Sequence, residues 1–459
     1  MISSFSVLGL WNERNIRINF VDGSIIIVGE NGSGKTTVLR ILYLVLSRDW
    51  IKLSGEDFVR IELVDDNNDR FGLNRSDLQG FEKHTINVRR EFRDAMPTGA
   101  VNELANFCGE LTTSERVREA FYYMVLPNRY LIAIENILQD KEKDLPEIIQ
   151  NASKWILKHN TLPILYLPTY RRSESSLNRN EYAENRIRRF HGFDRLPTNM
   201  EVAQVGMTDV DITIRNEINS IMREYSTSSS ELNATFFKDI LSGEYKNAQS
   251  PEQIIESGDP TMEYYSDMAA ITTIFNSISG YGFFSDIDPI KEKLVQLLAK
   301  KENYDEYDKI VSYFYKKLIE RYERLKKVEE PLEAFFYACN KYLSNKKFKY
   351  YPNEFNYKII IEKTDGSEVR DIDLDHLSSG EKQMVSLFCY VYLANPDKCM
   401  VIIDEPELSL SVAWQKDILE DVMESKKCGA LIAATQSPFV YNNSLRHLAK
   451  SMNSFLSME

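Results

Sequence analysis

Residues Gly29-Glu30-Asn31-Gly32-Ser33-Gly34-Lys35-Thr36-Thr37 constrain this chain more than any other stretch. They fit the spacing G-x-x-x-x-G-K-[ST], directly after the apolar run 24–28 and before the apolar run 37–46, so the segment reads as strand, loop and helix. In that setting the glycines let successive backbone N–H groups turn inward as an anion nest, and the helix N-terminus adds its dipole. The lysine reaches the outer phosphates of a nucleotide and the neighbouring hydroxyl takes Mg²⁺. The expected phosphate-binding residues are therefore Gly29, Asn31, Gly32, Ser33, Gly34, Lys35, Thr36 and Thr37, with Lys35 also catalytic and Thr36 a metal ligand. The rival reading, a plain flexible glycine turn, does not account for the strand and helix on either side.

A second feature lies near the other end. Met400-Val401-Ile402-Ile403-Asp404-Glu405-Pro406 is an apolar strand that ends in two carboxylates. A buried parallel strand delivers its C-terminal residues to the crevice where α/β folds bind ligands. Asp404 can there hold Mg²⁺ through water, and Glu405 can orient and deprotonate an attacking water.

Leu377-Ser378-Ser379-Gly380-Glu381-Lys382-Gln383 precedes the apolar helical run 384–393, which Asn395-Pro396 stops. Ser378 and Glu381 have the spacing of a capping box, and a helix start built from small residues is also an anion site. This segment resembles the ABC signature motif and lies just upstream of Asp404-Glu405, as in that superfamily. The resemblance implies an ATPase in which Ser378, Ser379 and Gly380 of one subunit close on the γ-phosphate held by the phosphate loop of another. Residues 407–411 resemble the D-loop, and 431–438 resemble the switch strand that usually carries a phosphate-sensing histidine. Here Gln436 holds that position; it can donate a hydrogen bond but carries no charge. No clear Q-loop glutamine is present; Gln79 is one candidate, and the strand 164–168 followed by Thr169, Tyr170 and Arg171 sits where that loop is expected. The two departures imply slow or triggered hydrolysis with Glu405, Lys35 and Gln436 as the catalytic group.

Some 370 positions separate Lys35 from Glu405, far more than in transporter subunits, so a large insertion divides the head. Split heads resemble the RecF, SMC and OLD-like group. The strings Leu-Ser-Ser-Gly-Glu-Lys-Gln, Asp-Glu-Pro-Glu-Leu-Ser-Leu, Ala-Thr-Gln-Ser-Pro and Tyr-Leu-Pro-Thr-Tyr-Arg-Arg look most like stand-alone ATPases of bacterial anti-phage systems, such as the AriA subunit of PARIS or PtuA of Septu. That resemblance covers about the first and last fifths of the chain. It implies ATP and Mg²⁺ as ligands and a homo-oligomer built from head-to-tail dimers, with a hexamer among the closed forms. An effector nuclease or toxin subunit and a phage-encoded trigger would be the partners.

At 459 residues the chain holds two or three domains, or one large domain with an insertion. The expected division is an N-terminal head part at 1–100, a mainly helical insertion at 101–350 with a head strand near 163–170, and a C-terminal head part at 351–459. The fold class is α/β. A net charge of −13 sets up no global basic field toward nucleic acid or an anionic membrane, although a local basic groove stays open. Five cysteines without a C-x-x-C pair read as free thiols in a reducing compartment. The first five residues lack the basic segment of a signal peptide, and the longest apolar runs have strand length, so a cytoplasmic protein without a membrane span is expected.

Residues 172–260, rich in Ser, Asn, Glu and Arg, read as surface loops between short helices; 290–345 read as strongly helical, with Pro331 interrupting or starting a helix. The acidic pairs Asp209/Asp211, Asp286/Asp288 and Asp371/Asp373/Asp375 read as exposed faces rather than nuclease sites. Two basic clusters, Arg171-Arg172 and Arg186, Arg188 and Arg189 beside Phe190 and Phe193, leave nucleic-acid contact and partner contact equally open. The rivals to a defence switch are a RecF/SMC-like repair ATPase on duplex DNA and an ATP-bound scaffold that scarcely hydrolyses.

Overall fold

The computed structural model describes residues 2–79, 86–108, 128–143, 145–168, 199–201, 207–247, 305–362, 368–394 and 398–457, with the isolated positions 111–112, 114, 117, 292, 294 and 296–297. The basic clusters at 171–172 and 186–189, the expected loop residues Thr169, Tyr170 and Arg171 and the Asp286/Asp288 pair lie outside the described residues. By contact the chain divides into two units, Met1–Ile212 with Leu377–Glu459, and Thr213–His376. The sequence reading opens the insertion at 101 and closes it at 350. The contact boundary comes later because Ile149, Ala152 and Ile156, on one face of the helix Glu147–His159, are buried in the first unit's core with Ile164, Tyr166, Ile402 and Ile432.

The first unit is α/β. Its six-stranded sheet runs in the order Ala449–Ser451, Ile25–Val28, Cys428–Thr435, Cys399–Asp404, Ile164–Leu167, Asn199–Glu201. All five pairings are parallel, so both chain ends and the strand at 164–167 share one sheet. Cys399–Asp404 is buried along its whole length, as a strand covered on both faces must be, and this is why it reads as an unbroken apolar run. Ser24 Oγ accepts the Leu431 amide at 3.0 Å, a bond that ties the two ends of the chain together. The second sheet of this unit is five-stranded and antiparallel, in the order Leu456–Ser457, Arg14–Asn19, Ile2–Leu10, Arg60–Asp65, Arg70–Asn74. Phe5, Val7, Ile16, Ile18, Ile61 and Leu63 share one core cluster with the phosphate-loop helix Lys35–Leu46. At its rim, His159 Nδ1 donates to the Trp155 carbonyl at 2.8 Å, and Nε2 lies 3.3 Å from Asp65 and 3.5 Å from Asp69. Burial works to raise the Asp65 carboxyl, yet the amides of Asp69 and Asn67 and the His159 ring outweigh it and hold it below the usual range.

The second unit pairs two long helices, Met207–Ser242, of which the part from Thr213 belongs to this unit, and Glu306–Asn340. Over 207–242 the first corrects the reading of 172–260 as loops between short helices; residues 172–198, 202–206 and 248–260 lie outside the described residues. Its Ser, Thr and Asn residues are poor helix formers and blur the apolar period, but packing on a partner helix overrides propensity. The contacts run antiparallel: Tyr225 Oη donates to Glu329 at 3.1 Å, Arg321 Nε donates to Ser228 Oγ at 3.1 Å, and Phe236 meets Phe314 edge-on at 4.7 Å. Pro331 does not break the second helix, which continues through it to Asn340. Losing one backbone bond costs about 3 kcal/mol, and burial of Phe335 and Phe336 against Phe348 and Tyr357 offsets it. Phe348 and Tyr357 belong to the antiparallel sheet Lys346–Tyr351, Asn356–Glu362, Glu368–Ile372.

Burial pushes the Glu329 carboxyl up to about 6; the Tyr225 hydroxyl opposes that and Glu333 adds to it. A folded-state value above the unfolded one, about 4.3, means that stability is fully present at low pH and falls as pH rises through 6. We predict that Glu329→Gln stabilises the protein by about 1 kcal/mol at pH 8, after discounting for partial exposure, and is neutral at pH 4. Denaturant unfolding at the two pH values checks this, and an equal effect at both would refute it.

Candidate functional site

Register brings the site together. Val28 pairs with Thr435, Asp404 with Ala434, and Ile403 with Leu167. Parallel strands in that register deliver Gly29, Gln436, Glu405 and Pro168 to one edge of the sheet, and the Gly29 amide donates to Thr435 O at 3.2 Å.

The phosphate loop is built for an anion. Gly32 and Gly34 have φ of 77° and 101°, the left-handed region that favours glycine. A Cβ on Gly34 would also lie 3.2 Å from the Trp11 ring, so a side chain there is strained by the backbone and pushes on the indole. Gly34 caps the helix Lys35–Leu46 with no side-chain hydrogen bond and no acidic residue in the first turn. The first amides of that helix are thus left for an outside acceptor. Ser33 Oγ is buried and makes no hydrogen bond among the described residues. These features fit a nucleotide phosphate chain. Trp11 and Arg14 were not read from the sequence as part of this site: Arg14 donates to Ser33 O at 3.2 Å, and its guanidinium lies 5.6 Å from the Trp11 ring centre. A turn between two strands carries no motif that would have flagged them.

Lys35 is 4% exposed, and its Nζ donates to Gly29 O at 2.8 Å and Glu30 O at 3.1 Å while standing 3.4 Å from Glu405 Oε1. Glu405 Oε2 accepts from Gln436 Nε2 at 3.1 Å. Of the three residues assigned to catalysis, Lys35 and Gln436 each contact Glu405, one on each carboxylate oxygen. Glu405 has φ of 51°, a left-handed conformation that costs a side-chain-bearing residue about 1 kcal/mol. Burial raises the Glu405 carboxyl above the ordinary glutamate range, the charge of Glu407 adds to this, and Lys35 opposes it. Asp404 is fully buried at the strand end, while Thr36 is exposed at the top of the phosphate-loop helix. A hydroxyl and a carboxylate are the donor set that Mg²⁺ takes beside phosphate.

In the signature segment, Ser378 caps the helix Ser379–Phe388: its Oγ accepts the Glu381 amide at 3.4 Å, and Glu381 accepts the Ser378 amide at 2.7 Å. The helix continues as a π-turn over Cys389–Ala394, where the sequence reading extends one α-helix. A Cβ on Gly380 would lie 2.8 Å from the Ser409 carbonyl, and Gln383 Nε2 donates to Leu408 O at 3.2 Å. The signature helix is thus locked to residues 408–409 of its own chain. We predict that Gly380→Val destabilises the protein by about 2 kcal/mol, read by denaturant unfolding; an unchanged midpoint would contradict this packing.

The AAA ATPase domain family model matches residues 1–439. The chain belongs to that family. No curated protein matches it. Among solved structures, this ATPase is similar to the Smc head domain with an extended coiled coil bound to the C-terminal domain of ScpA from Pyrococcus furiosus, at 13% identity over 96% of this chain and 91% of that one, with a TM-score of 0.32. An Smc head domain with a coiled coil and joint from Pyrococcus yayanosii gives 15% identity over 96% and 93%, with a TM-score of 0.27. The fold assigned above rests on the strand order and register. Among the described residues no group of three or more His, Cys, Asp or Glu side chains could hold a metal, and no helix is long and apolar enough to cross a membrane.

Proposed function

We propose that this ATPase hydrolyses ATP at Glu405 and works as a nucleotide-driven switch that closes in head-to-tail pairs and controls an effector nuclease or toxin in bacterial anti-phage defence. The observation that carries the hydrolytic part is the Lys35–Glu405–Gln436 contact beside the glycine nest. The amides of Gly34 and of the first turn of the helix Lys35–Leu46 bind the phosphates, and Lys35 moves from Glu405 onto them. Glu405 then accepts the proton of the attacking water while Gln436 keeps its carboxylate oriented. Bound Mg²⁺ supplies charge neutralisation on the phosphates, with Thr36 and Asp404 as its holders.

The pairing and the defence role rest on the motif resemblance. Ser379 is exposed at the signature helix start and open to a second copy, and Leu408, Val412 and Phe439 expose apolar side chains at 38%, 49% and 42%. A neutral Gln436 supports slow or triggered turnover.

The test is the native mass of Glu405→Gln purified with ATP and Mg²⁺ after co-expression with the neighbouring genes of its locus. Several copies joined to a second protein are expected. A bare dimer carrying duplex DNA would instead favour a repair ATPase, and an assembly indifferent to both ATP and this substitution would favour a scaffold.

A further inference from the structure

We infer that Glu407 is a positioning residue of the hydrolytic site: its carboxylate holds the end of the switch strand and thereby sets the Gln436 side chain on Glu405. The inference rests on the hydrolytic reading above and adds a residue that reading does not use.

Glu407 is 8% exposed. Its Oε1 accepts the backbone amide of Gln436 at 2.9 Å and that of Ser437 at 3.1 Å. These are successive amides, just past the last paired residue of Cys428–Thr435, where the sheet no longer supplies partners. A buried carboxylate on two amides makes charge-assisted bonds, roughly twice as strong as neutral ones. The other end of the same residue then closes the link, because Gln436 Nε2 donates to Glu405 Oε2 at 3.1 Å. Glu405, Glu407 and Gln436 therefore form a ring of contacts in which backbone and side chain of one glutamine are each held by a different glutamate. Ser437 is fixed further by Thr435 Oγ1, which accepts its amide at 3.0 Å, and by its own hydroxyl donating to Gln415 Oε1 at 2.7 Å.

Glu407 lies two positions beyond Glu405, on the turn that Glu405 opens with its left-handed backbone; the Leu408 amide donates to Glu405 O at 3.2 Å and the Leu410 amide to Glu407 O at 3.1 Å. The turn therefore carries both glutamates together; the Glu405 amide donates to Ala434 O at 2.8 Å, which sets the strand, and the Glu407 bonds hold the two amides beyond it that carry the Gln436 side chain. Misplacing a catalytic contact by about 1 Å costs on the order of 100-fold in rate, so a hold of this kind affects turnover more than nucleotide binding.

The test uses steady-state phosphate release by the full chain. Wild type is first compared with Glu405→Gln; if turnover is the same in both, the hydrolytic reading fails before Glu407 is examined. Given that loss, Glu407→Ala is expected to lower kcat by about 30-fold with KM within about twofold of wild type. Glu407→Gln, whose amide oxygen still accepts both N–H groups, is expected to regain all but about threefold. In a Gln436→Ala background, Glu407→Ala should cost less than about threefold, since the residue acts through Gln436. The inference is overturned if Glu407→Ala turns over like wild type, if Glu407→Gln is as poor as Glu407→Ala, or if the cost is undiminished without Gln436. Thermal unfolding of each variant separates these outcomes from misfolding: should Glu407→Ala not fold, the Glu407→Gln and Gln436→Ala pair, tested singly and together, decides the matter by the same non-additivity.

Discussion

Glu405→Gln is expected to reduce ATP turnover by on the order of 100-fold to 1000-fold while binding ATP at least as tightly as wild type. Gln is isosteric and cannot take a proton from water, so the loss falls on chemistry. Binding is expected to improve because Lys35 must leave Glu405 to reach phosphate, and the 3.4 Å ion pair that holds it back is weakened by the neutral amide. Hydrogen bonding to the Gly29 and Glu30 carbonyls keeps the lysine in place. Rapid-quench phosphate release combined with fluorescent-nucleotide titration checks both halves. Turnover near wild type would remove Glu405 as the base, and a weaker ATP affinity would contradict the ion-pair account.

Lys35→Ala acts on the other side of the same contact. It removes a charged donor to phosphate, worth about 3 kcal/mol, so ATP affinity should fall by about 100-fold. Turnover at ordinary ATP concentrations should vanish with it. It also leaves Glu405, whose carboxyl burial already pushes toward the protonated form, without its cation and beside Glu407. Isothermal titration with ATP and Mg²⁺ reads the first effect. Retained affinity would mean that the loop amides alone hold the nucleotide.

Much of this site was legible because its motifs are local. The glycine spacing of 29–37 and the apolar strand ending at Asp404-Glu405 each state a strand, a turn and a chemistry within nine residues. Sheet neighbours were legible only through family resemblance, since the bond from the Leu431 amide to Ser24 spans 407 positions. The helix Met207–Ser242 was not legible, because its Ser, Thr and Asn content hides a stabilisation that comes from Tyr225, Ser228 and Phe236 meeting a helix about a hundred residues away in sequence. Pro331 misled for the same reason: a local breaker was outvoted by aromatic packing. Glu407 stood in a string noted as a D-loop, but its hold on the Gln436 amide depends on the register of two strands, and no local pattern encodes that. The contributions of Trp11 and Arg14 beside Gly34 were hidden likewise, because turn residues announce a turn and not what lies against it.

The measurement closest to the central claim is complementation between two inactive chains. Lys35→Ala and Ser379→Arg would be co-expressed with different tags and purified through both. Ser379 is exposed, so the arginine obstructs a second subunit's phosphates without disturbing the core. If ATP is hydrolysed between the phosphate loop of one copy and the signature of another, each variant alone is inactive. The mixed pair then regains about half of wild-type turnover, because one of its two sites is intact. A mixed assembly as inactive as either parent would contradict the shared site.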